Sequence, residues 1–342
     1  MAFNWSGGYT AQWFVRRVNP DTWVGLDALS GIDSISIDRA CDSLLESGRI
    51  TASSPLEDSF EEGWYTIEMQ ASRGPEFERV PIATLLLSET ERSYDRIGSK
   101  QLTLVGRSVL APASQRIFTD GEYAPKGVDG AAFVANLLRK CTPAPVEVDG
   151  SFVLDEYVVF DLGSTYLSGI WKILDAAKWC MQIHGDGTIH ILPLPTEPAL
   201  VLDSVAAGLL MPTVNVSADS TDIPNVVIVT DGIETVTAIN DDPTDPMSTV
   251  GRGRRVEQMI QNPVRVNGET LNAYANRMLA ELGTVEQSYS YRREWWPDVF
   301  PYDIVRGRLA SSGLYDDLRV SSQSLACGAG VLVSETAIAR TE

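Results

Sequence analysis

Apolar and polar residues alternate through most of the first hundred positions. Between residues 31 and 39, Ile35 and Ile37 fall on one face of an extended chain, and Ser or Asp occupies the positions between and beside them. A period of two is typical of half-buried strands. Further runs of this kind predict strands at residues 11–19, 49–52, 64–71, 80–87 and 101–110. About six short strands at such spacing predict a closed barrel or a sandwich.

A helical period replaces the alternation after Pro112. Residues 129–141 predict a helix, because Asp129 can cap its start and the apolar residues after it share one face. A second helix is predicted to begin near Ser164 or Thr165 and to continue to about Lys178, with apolar residues at spacings of three and four. This region therefore predicts an α+β segment.

A hairpin is predicted directly after the second helix, at residues 181–191. One face holds apolar residues, which are Met181, Ile183, Ile189 and Ile191. The other face holds the chain's two histidines, His184 and His190, as diagonal neighbours. Such neighbours lie about 7–8 Å apart, which is wide for two ligands of one metal. We therefore expect them on the polar side of an amphipathic ribbon.

Strands return from about residue 200, for instance at 225–230, 287–296 and 303–309, and residues 317–338 alternate again. A helix from about Glu269 to Leu282 interrupts them, and Gly283 supplies its end signal. The order of elements predicts two β modules with an inserted or bridging α+β piece.

Composition narrows the classes of function. The 342 residues suit two or three domains, and the formal net charge is −19. A polyanion has few counterions to release from nucleic acid and is disfavoured at anionic membranes. No run approaches the roughly 18 apolar residues of a membrane span, and no secretory signal is visible at the start.

Motifs for enzyme chemistry are missing from the sequence. There is no Gly-x-Ser-x-Gly, no P-loop and no Gly-x-Gly-x-x-Gly after a strand. The four cysteines match no zinc or redox spacing, and we expect them to be reduced. The acidic loop 241–246 lacks the spacing and glycine of a calcium loop. We therefore predict no catalytic residue, cofactor or metal, and no enzyme activity.

The order of these parts resembles the tail hub (baseplate hub) proteins of long-tailed bacteriophages and related phage-derived tails. The resemblance rests on six segments in order, each of which is weak alone. They are residues 31–37, residues 106–110 with the helix at 129–141, residues 173–179 with the hairpin, residues 222–229, residues 248–255, and the helix around 273–279 followed by residues 297–305.

The resemblance implies a mainly β fold with α+β insertions. Two β-barrel tube domains would span residues 1–111 and residues 201–245 with 283–342. An α+β domain, 112–200, and a helix-containing insert, 246–282, would brace them. Such hubs are trimers whose six barrels form a ring, which adapts a sixfold tail tube to a threefold spike or fibre and leaves a channel for DNA. The location implied is the virion tail tip, after synthesis in the host cytoplasm.

The partners implied are a homotrimer, a distal tail or tube protein, a tape measure protein and a spike or fibre protein, with DNA passing unbound and no membrane. We expect tryptophans and the one basic cluster to contact other subunits. The interface candidates are Trp5, Arg252, Arg254, Arg255, Trp295 and Trp296. We further hypothesise that acids facing the lumen repel the passing duplex.

Two other functions stay open at this point. A carbohydrate- or receptor-binding β protein of a virion surface would expose coplanar aromatic residues around a shallow groove. A glycoside hydrolase would hold two carboxylates about 5–10 Å apart in a cleft.

Overall fold

The computed structural model describes residues 3, 5, 8–29, 31–42, 44–53, 60–94, 100–119, 121–202, 210–218, 220–266, 268–308 and 316–339. None of the helices in this part of the chain has both the length and the apolar character needed to cross a membrane.

The N-terminal third forms an antiparallel sheet, which we call the N-terminal module. Its strands are β1 (Thr10–Val18), β2 (Gly25–Leu29), β3 (Ile32–Ala40), β4 (Glu46–Ser53), β5 (Gly63–Arg73), β6 (Glu76–Tyr94) and β7 (Lys100–Arg107). They lie in the order β2-β1-β5-β6-β7-β4-β3. The alternation of burial in β5 and β3 follows the alternation in sequence, and the apolar face includes the fully buried Ile37, Ile50, Ile67 and Leu85.

The α+β segment follows. Its elements are α1 (Ala111–Gln115), β8 (Tyr123–Ala124), α2 (Gly130–Arg139), β9 (Val146–Val148), β10 (Val158–Val159), α3 (Tyr166–Ala177), β11 (Trp179–Ile183) and β12 (Ile189–Pro193). Asp129 caps α2 by accepting hydrogen bonds from two backbone N–H groups, and Thr165 caps α3. Both helices bury their apolar faces in one core with β11 and β12. The predicted hairpin register is confirmed, because Met181 lies opposite Ile191 and Ile183 opposite Ile189.

The rest of the chain supplies the other strands of the main sheet, one sheet of three strands and two helices. The elements are β13 (Pro198–Leu202), β14 (Leu210–Ala218), β15 (Val226–Thr230), β16 (Thr235–Ile239), α4 (Thr249–Arg252), β17 (Glu257–Gln261), α5 (Leu271–Leu282), β18 (Gln287–Glu294), β19 (Ile304–Gly307), β20 (Asp317–Cys327) and β21 (Val331–Ala339). Residue 309, the end of the predicted strand 303–309, lies outside the described residues.

Six of these strands form the C-terminal module, in the order β13-β19-β20-β21-β18-β14. The N-terminal module has the same order in its strands β1-β5-β6-β7-β4-β3, and the strands correspond one to one along the chain. One difference is that β13 runs parallel to β19, whereas β1 runs antiparallel to β5. The two predicted β modules therefore share one strand order.

The two modules join edge to edge through β3 and β20, so their strands form one 13-stranded sheet. The resemblance to tail hub proteins implied two β-barrel domains. Among the described residues neither module closes on itself, because β3 pairs with β20 of the other module instead of returning to β1 or β2. Separate apolar clusters lie under the two modules.

The strand at 225–230 lies elsewhere than predicted. Sequence analysis placed it in the second barrel, but β15 pairs with β16 and β17 in a sheet of three strands. Val227 and Val229 on β15 are fully buried against Tyr274 and Ala275 of α5. Helix α5, which was predicted at about residues 269–282, thus packs with these strands in a small separate core.

Candidate functional site

A row of buried polar residues crosses the junction between the two modules. Five side chains lie on neighbouring strands directly opposite one another, in the order Tyr291, Glu335, Gln323, Arg39 and Glu46. All five residues are 2–4% exposed. We call these five residues the polar row. A buried polar group needs a partner, so this row requires the strands in one register.

At one end of the polar row, Arg39 and Glu46 form a buried ion pair. The Arg39 Nε atom donates to Glu46 Oε1 at 2.9 Å, and the same guanidinium donates to the carbonyl of Ile82. The other carboxylate oxygen of Glu46 is buried without a hydrogen-bond partner. Burial raises the pKa of Glu46 despite the opposing charge of Arg39.

At the other end, Glu335 accepts hydrogen bonds from three side chains. Arg293 Nη2 donates to Glu335 Oε2 at 2.5 Å, and Gln323 Nε2 donates to the same oxygen at 2.8 Å. The Tyr291 hydroxyl donates to the second oxygen. Burial and the charge of Glu335 raise the pKa of Tyr291 well above its usual value. This carboxylate is fully engaged and is not available for acid–base chemistry.

Residues 297–303 connect the polar row to the α+β segment. Phe300 lies 5.2 Å from the Arg39 guanidinium and stacks on His184 at 4.6 Å. Asp303 accepts a hydrogen bond of 2.8 Å from Gln182 of β11. Burial raises the pKa of Asp303. These contacts place the predicted hairpin against the module junction.

The two histidines are diagonal neighbours, as predicted, because His190 lies opposite Gln182 and His184 is two residues further along β11. Their rings turn toward each other and stack with centroids 3.9 Å apart. The face that they share with Gln182 is packed against Phe300, so it does not form an open polar surface. Burial, followed by the neighbouring His190, lowers the pKa of His184. The two rings therefore take part in packing within the chain, through the contact of His184 with Phe300.

The opposite side of the main sheet is a broad surface of small polar residues, which we call the polar face. Its central members alternate with the buried residues of the same strands. They are Ser34, Ser36, Asp38, Ser47, Arg49, Thr51, Thr103, Arg107, Asn215, Ser288, Ser290, Arg292, Glu294, Ser322, Ser324, Ser334 and Thr336. Around the module junction the face is concave, with a cavity of about 780 Å³. Eleven of these 17 side chains carry a hydroxyl group.

Charge on the polar face is sparse and mixed. Asp38 and Glu294 are its acids, and three arginines accompany them. The −19 formal charge of the chain is therefore not concentrated on this part of the sheet. One row across the face runs Arg292, Ser334, Ser324, Asp38, Ser47 and Arg107.

The predicted interface tryptophans are mostly inside the chain. Trp5 is 7% exposed and Trp295 is 6% exposed, and their rings pack edge to face with centroids 5.1 Å apart. Trp296 is half-buried and contacts the apolar clusters of both modules. Trp5 and Trp295 thus leave little surface for another subunit.

The predicted basic cluster binds its own chain. Arg252 donates three hydrogen bonds of 2.8–2.9 Å to the backbone carbonyls of residues 220, 221 and 223. Arg254 donates to the carbonyl of residue 221, and Arg255 pairs with Glu257 at 3.3 Å. The cluster therefore fixes the connection between β14 and β15. The six predicted interface residues thus form two groups. The arginines contact the chain at residues 220–223 or Glu257, and the tryptophans belong to or pack against one apolar cluster.

The polar row was not predicted from the sequence, although the sequence contains one signal for it. Arg39 continues the alternation of Ile35 and Ile37, so a charged residue stands on the apolar face. Glu335 does the same after Val331 and Val333. A charge at a core position indicates a buried partner.

The described residues offer little for catalysis or metal binding. No three His, Cys, Asp or Glu side chains there are close enough to share a metal ion. All four cysteines are free thiols, and burial raises the pKa of Cys41, Cys180 and Cys327 to about 12. A thiol with such a pKa is a poor nucleophile.

The described residues contain no clear site for the other two candidate functions, which are carbohydrate or receptor binding and glycoside hydrolysis. Among the described residues that line the 780 Å³ cavity, the acids are Asp38 and Glu335, and Glu335 is bound to Arg293. The exposed aromatic pair Tyr123 and Tyr157 is tilted by 58°, so its rings are not coplanar. These arrangements favour neither a glycosidase nor an aromatic platform for sugars.

Solved structures of tail proteins match almost the whole chain. The tail protein of Neisseria meningitidis MC58 aligns over 97% of both chains with a TM-score of 0.65 and 13% identity. The fold is that of phage tail proteins. The 43 kDa tail protein of prophage MuSo2 from Shewanella oneidensis gives a TM-score of 0.63 at 12% identity, over 95% of this chain and 97% of that one.

A third tail-protein match is the prophage tail protein gp18 of Listeria monocytogenes, with a TM-score of 0.54 and 12% identity over 96% of this chain and 95% of that one. No family model matches the sequence, and no curated protein matches it significantly. The tail-protein fold confirms the resemblance found in the sequence.

Proposed function

We propose that this chain is a structural, non-enzymatic hub of a phage tail tip or baseplate. Three copies form a ring that joins a sixfold tail tube to a threefold spike or fibre and leaves a channel for DNA. The observation that carries this proposal is the repeated strand order of the two modules within a tail-protein fold. Two similar modules in each of three copies supply six similar units, which suits a boundary between sixfold and threefold symmetry.

The polar face is the surface that we assign to the channel. Its hydroxyl groups hydrogen-bond water, and its few arginines are interspersed with acids. Strong DNA binding needs many neutralised phosphates, which this face does not offer. Three copies at −19 each carry a formal charge of −57, and that field opposes retention of a duplex. We therefore attribute repulsion of the duplex to the net charge of the whole ring. The sequence-based hypothesis attributed it to acids that line the lumen.

The other parts take supporting roles in this proposal. Residues 1–111 form the first tube domain, and the C-terminal module, within residues 198–218 and 283–342, forms the second. β15 and β16 belong instead with the helix-containing insert, because β15 pairs with β16 and β17. The α+β domain, 112–200, and the helix-containing insert, 246–282, brace them from outside. The partners are a distal tail or tube protein, a tape measure protein and a spike or fibre protein, in the virion tail tip, after synthesis in the host cytoplasm.

Sedimentation velocity and negative-stain electron microscopy of the purified chain test the proposal. We expect trimers with threefold symmetry and a central hole, and no retention of duplex DNA at physiological salt. A compact monomer at every concentration, or turnover of a cell-wall polysaccharide, would overturn it.

A further inference from the structure

One carboxylate oxygen of Glu46 is not bound by the side chains and backbone around it. Its Oε1 atom accepts a hydrogen bond of 2.9 Å from Arg39 Nε, whereas Oε2 has no hydrogen-bond partner in the described part of the chain. The Glu46 side chain is 1% exposed, so bulk solvent does not reach it. A buried polar atom without a partner destabilises a fold, and this oxygen therefore points to a donor that is not part of the chain.

Glu46 lines a small internal cavity of about 10 Å³. Arg39, Leu45 and Glu46 of the N-terminal module, residues 181–183 of β11 and Pro301 form its walls. A space of this size holds about one water molecule. The cavity lies where the N-terminal module, the α+β segment and the 297–303 connection meet.

The outer edge of β11 brings backbone polar groups to the same place. β11 is the outer strand of the sheet β11-β12-β9, and all five of its residues are buried. The His184 N–H donates to the carbonyl of Thr188, so by the alternation of an antiparallel ladder the backbone groups of Met181 and Ile183 point away from β12. No described strand pairs with that edge. Buried backbone groups need hydrogen-bond partners, and these two residues line the cavity.

The charges at the cavity favour a neutral ligand. Arg39 and Glu46 both line it and carry opposite charges. A cation there would lie near the guanidinium and an anion near the carboxylate, and either ion would lose its hydration shell on entry. A water molecule has no net charge and can both donate and accept hydrogen bonds, which suits a carboxylate beside a backbone edge.

We propose that this cavity binds one ordered water molecule, which donates a hydrogen bond to Glu46 Oε2 and makes its other hydrogen bonds with the backbone of Met181, Ile183 or Pro301. The water joins the buried ion pair of the polar row to the outer edge of β11. It therefore adds to the docking of the α+β segment on the N-terminal module, beside the direct hydrogen bond from Thr84 to Gly185. This inference concerns a single chain and does not depend on the trimeric hub.

A crystal structure of the unmodified chain, at a resolution that shows ordered water, tests the proposal directly. We expect one electron-density peak about 2.5–3.0 Å from Glu46 Oε2, within hydrogen-bond distance of the backbone of residue 181, 183 or 301. The absence of a peak, or a protein group bonded to this oxygen, would overturn the proposal.

Crystals soaked in rubidium bromide separate a water molecule from an ion. Rubidium and bromide both scatter X-rays anomalously, so either ion in the cavity would give an anomalous difference peak, whereas water gives none. We expect no such peak beside Glu46. An anomalous peak there would overturn the assignment to water.

Variants test whether Glu46 holds the water. Glu46→Gln keeps a polar atom at the cavity and should keep the density peak. Arg39→Met/Glu46→Met should lose it, because methionine donates no hydrogen bond and accepts only weakly. Arg49→Met, on the exposed face of β4, is the matched control and should keep the peak. A peak that persists in the double variant would overturn the role of Glu46, and the two measurements on the unmodified chain decide the proposal if that variant does not fold.

Discussion

Arg39 of β3 lies directly opposite Gln323 of β20, at the ladder where the two modules become one sheet. Each residue points its polar group along the polar row to a different carboxylate, which is Glu46 for Arg39 and Glu335 for Gln323. Each of these pairs lies within one module, so a register slip of one residue at this ladder would keep the pairs but place Arg39 on the opposite face of the sheet from Gln323. The row therefore specifies how the modules join.

Removal of Arg39 should be strongly destabilising. Arg39→Met leaves Glu46 buried without its counter-charge, which costs about 3–5 kcal/mol of unfolding free energy. Urea denaturation measures this loss. Arg49→Met, on the exposed face of β4, should stay within about 0.5 kcal/mol. The double variant Arg39→Met/Glu46→Met should recover much of the loss, and no recovery would contradict the role of the pair.

Stability should depend on pH through His184. Burial lowers the pKa of this imidazole from its ordinary 6.5, so the folded chain binds a proton less readily than the unfolded chain. The contribution of His184 to stability is present above pH 6.5 and is lost as the pH falls through the window between 6.5 and the lowered pKa. His184→Phe keeps a ring between His190 and Phe300 and should lose less stability over that window.

Thermal denaturation between pH 7 and pH 5 measures this difference. Ser36→Ala, on the polar face, is the control and should keep the pH dependence of the unmodified chain. If the melting temperature falls equally with pH in His184→Phe and in the unmodified chain, the pKa of His184 does not change on folding.

Truncation of the two neighbouring tryptophans should separate folding from assembly. Trp295→Ala removes a 6% exposed ring that packs on Trp5, so we expect a loss of about 3–5 kcal/mol in urea denaturation. Trp296→Ala removes a half-buried ring and should cost less. Phe77→Ala, at a 68% exposed position, should cost about 0.5 kcal/mol or less. Loss of trimers by Trp295→Ala without loss of stability would restore its predicted role as a subunit contact.

Much of the fold could be predicted from local patterns. Alternation located the strands that carry most of both modules, and Asp129 and Thr165 marked the starts of two helices. Alternation states which residues share a face, but it does not state which strand lies alongside. The partners of β15 were therefore mispredicted, because an apolar run such as residues 226–229 suits any buried strand.

The candidate site was less predictable for the same reason. Tryptophan and arginine are enriched at protein interfaces, which is why they were predicted as interface residues. In this chain Trp5 packs on Trp295, and Arg252 donates hydrogen bonds to backbone carbonyls of its own chain. Trp5 and Trp295 lie near opposite ends of the chain, and Arg252 lies 29 residues from Ile223, so neither contact can be read from a local pattern. The stacking of His184 on Phe300 likewise depends on the path of residues 297–303, which no local pattern gives.

The loop of the 181–191 hairpin should tolerate no side chain at Gly185. A Cβ atom there would lie 2.0 Å from the backbone oxygen of Pro81, and the Gly185 carbonyl accepts a hydrogen bond of 2.9 Å from Thr84. Gly185→Ala must therefore shift the hairpin from β6, with a loss of about 1–3 kcal/mol or more. Hydrogen exchange should show faster exchange in β6 near Thr84. Gly328→Ala, at an open hairpin loop, has nothing within 4 Å of its new Cβ and should leave exchange unchanged. Unchanged protection of β6 in Gly185→Ala would contradict this docking of the α+β segment on the N-terminal module.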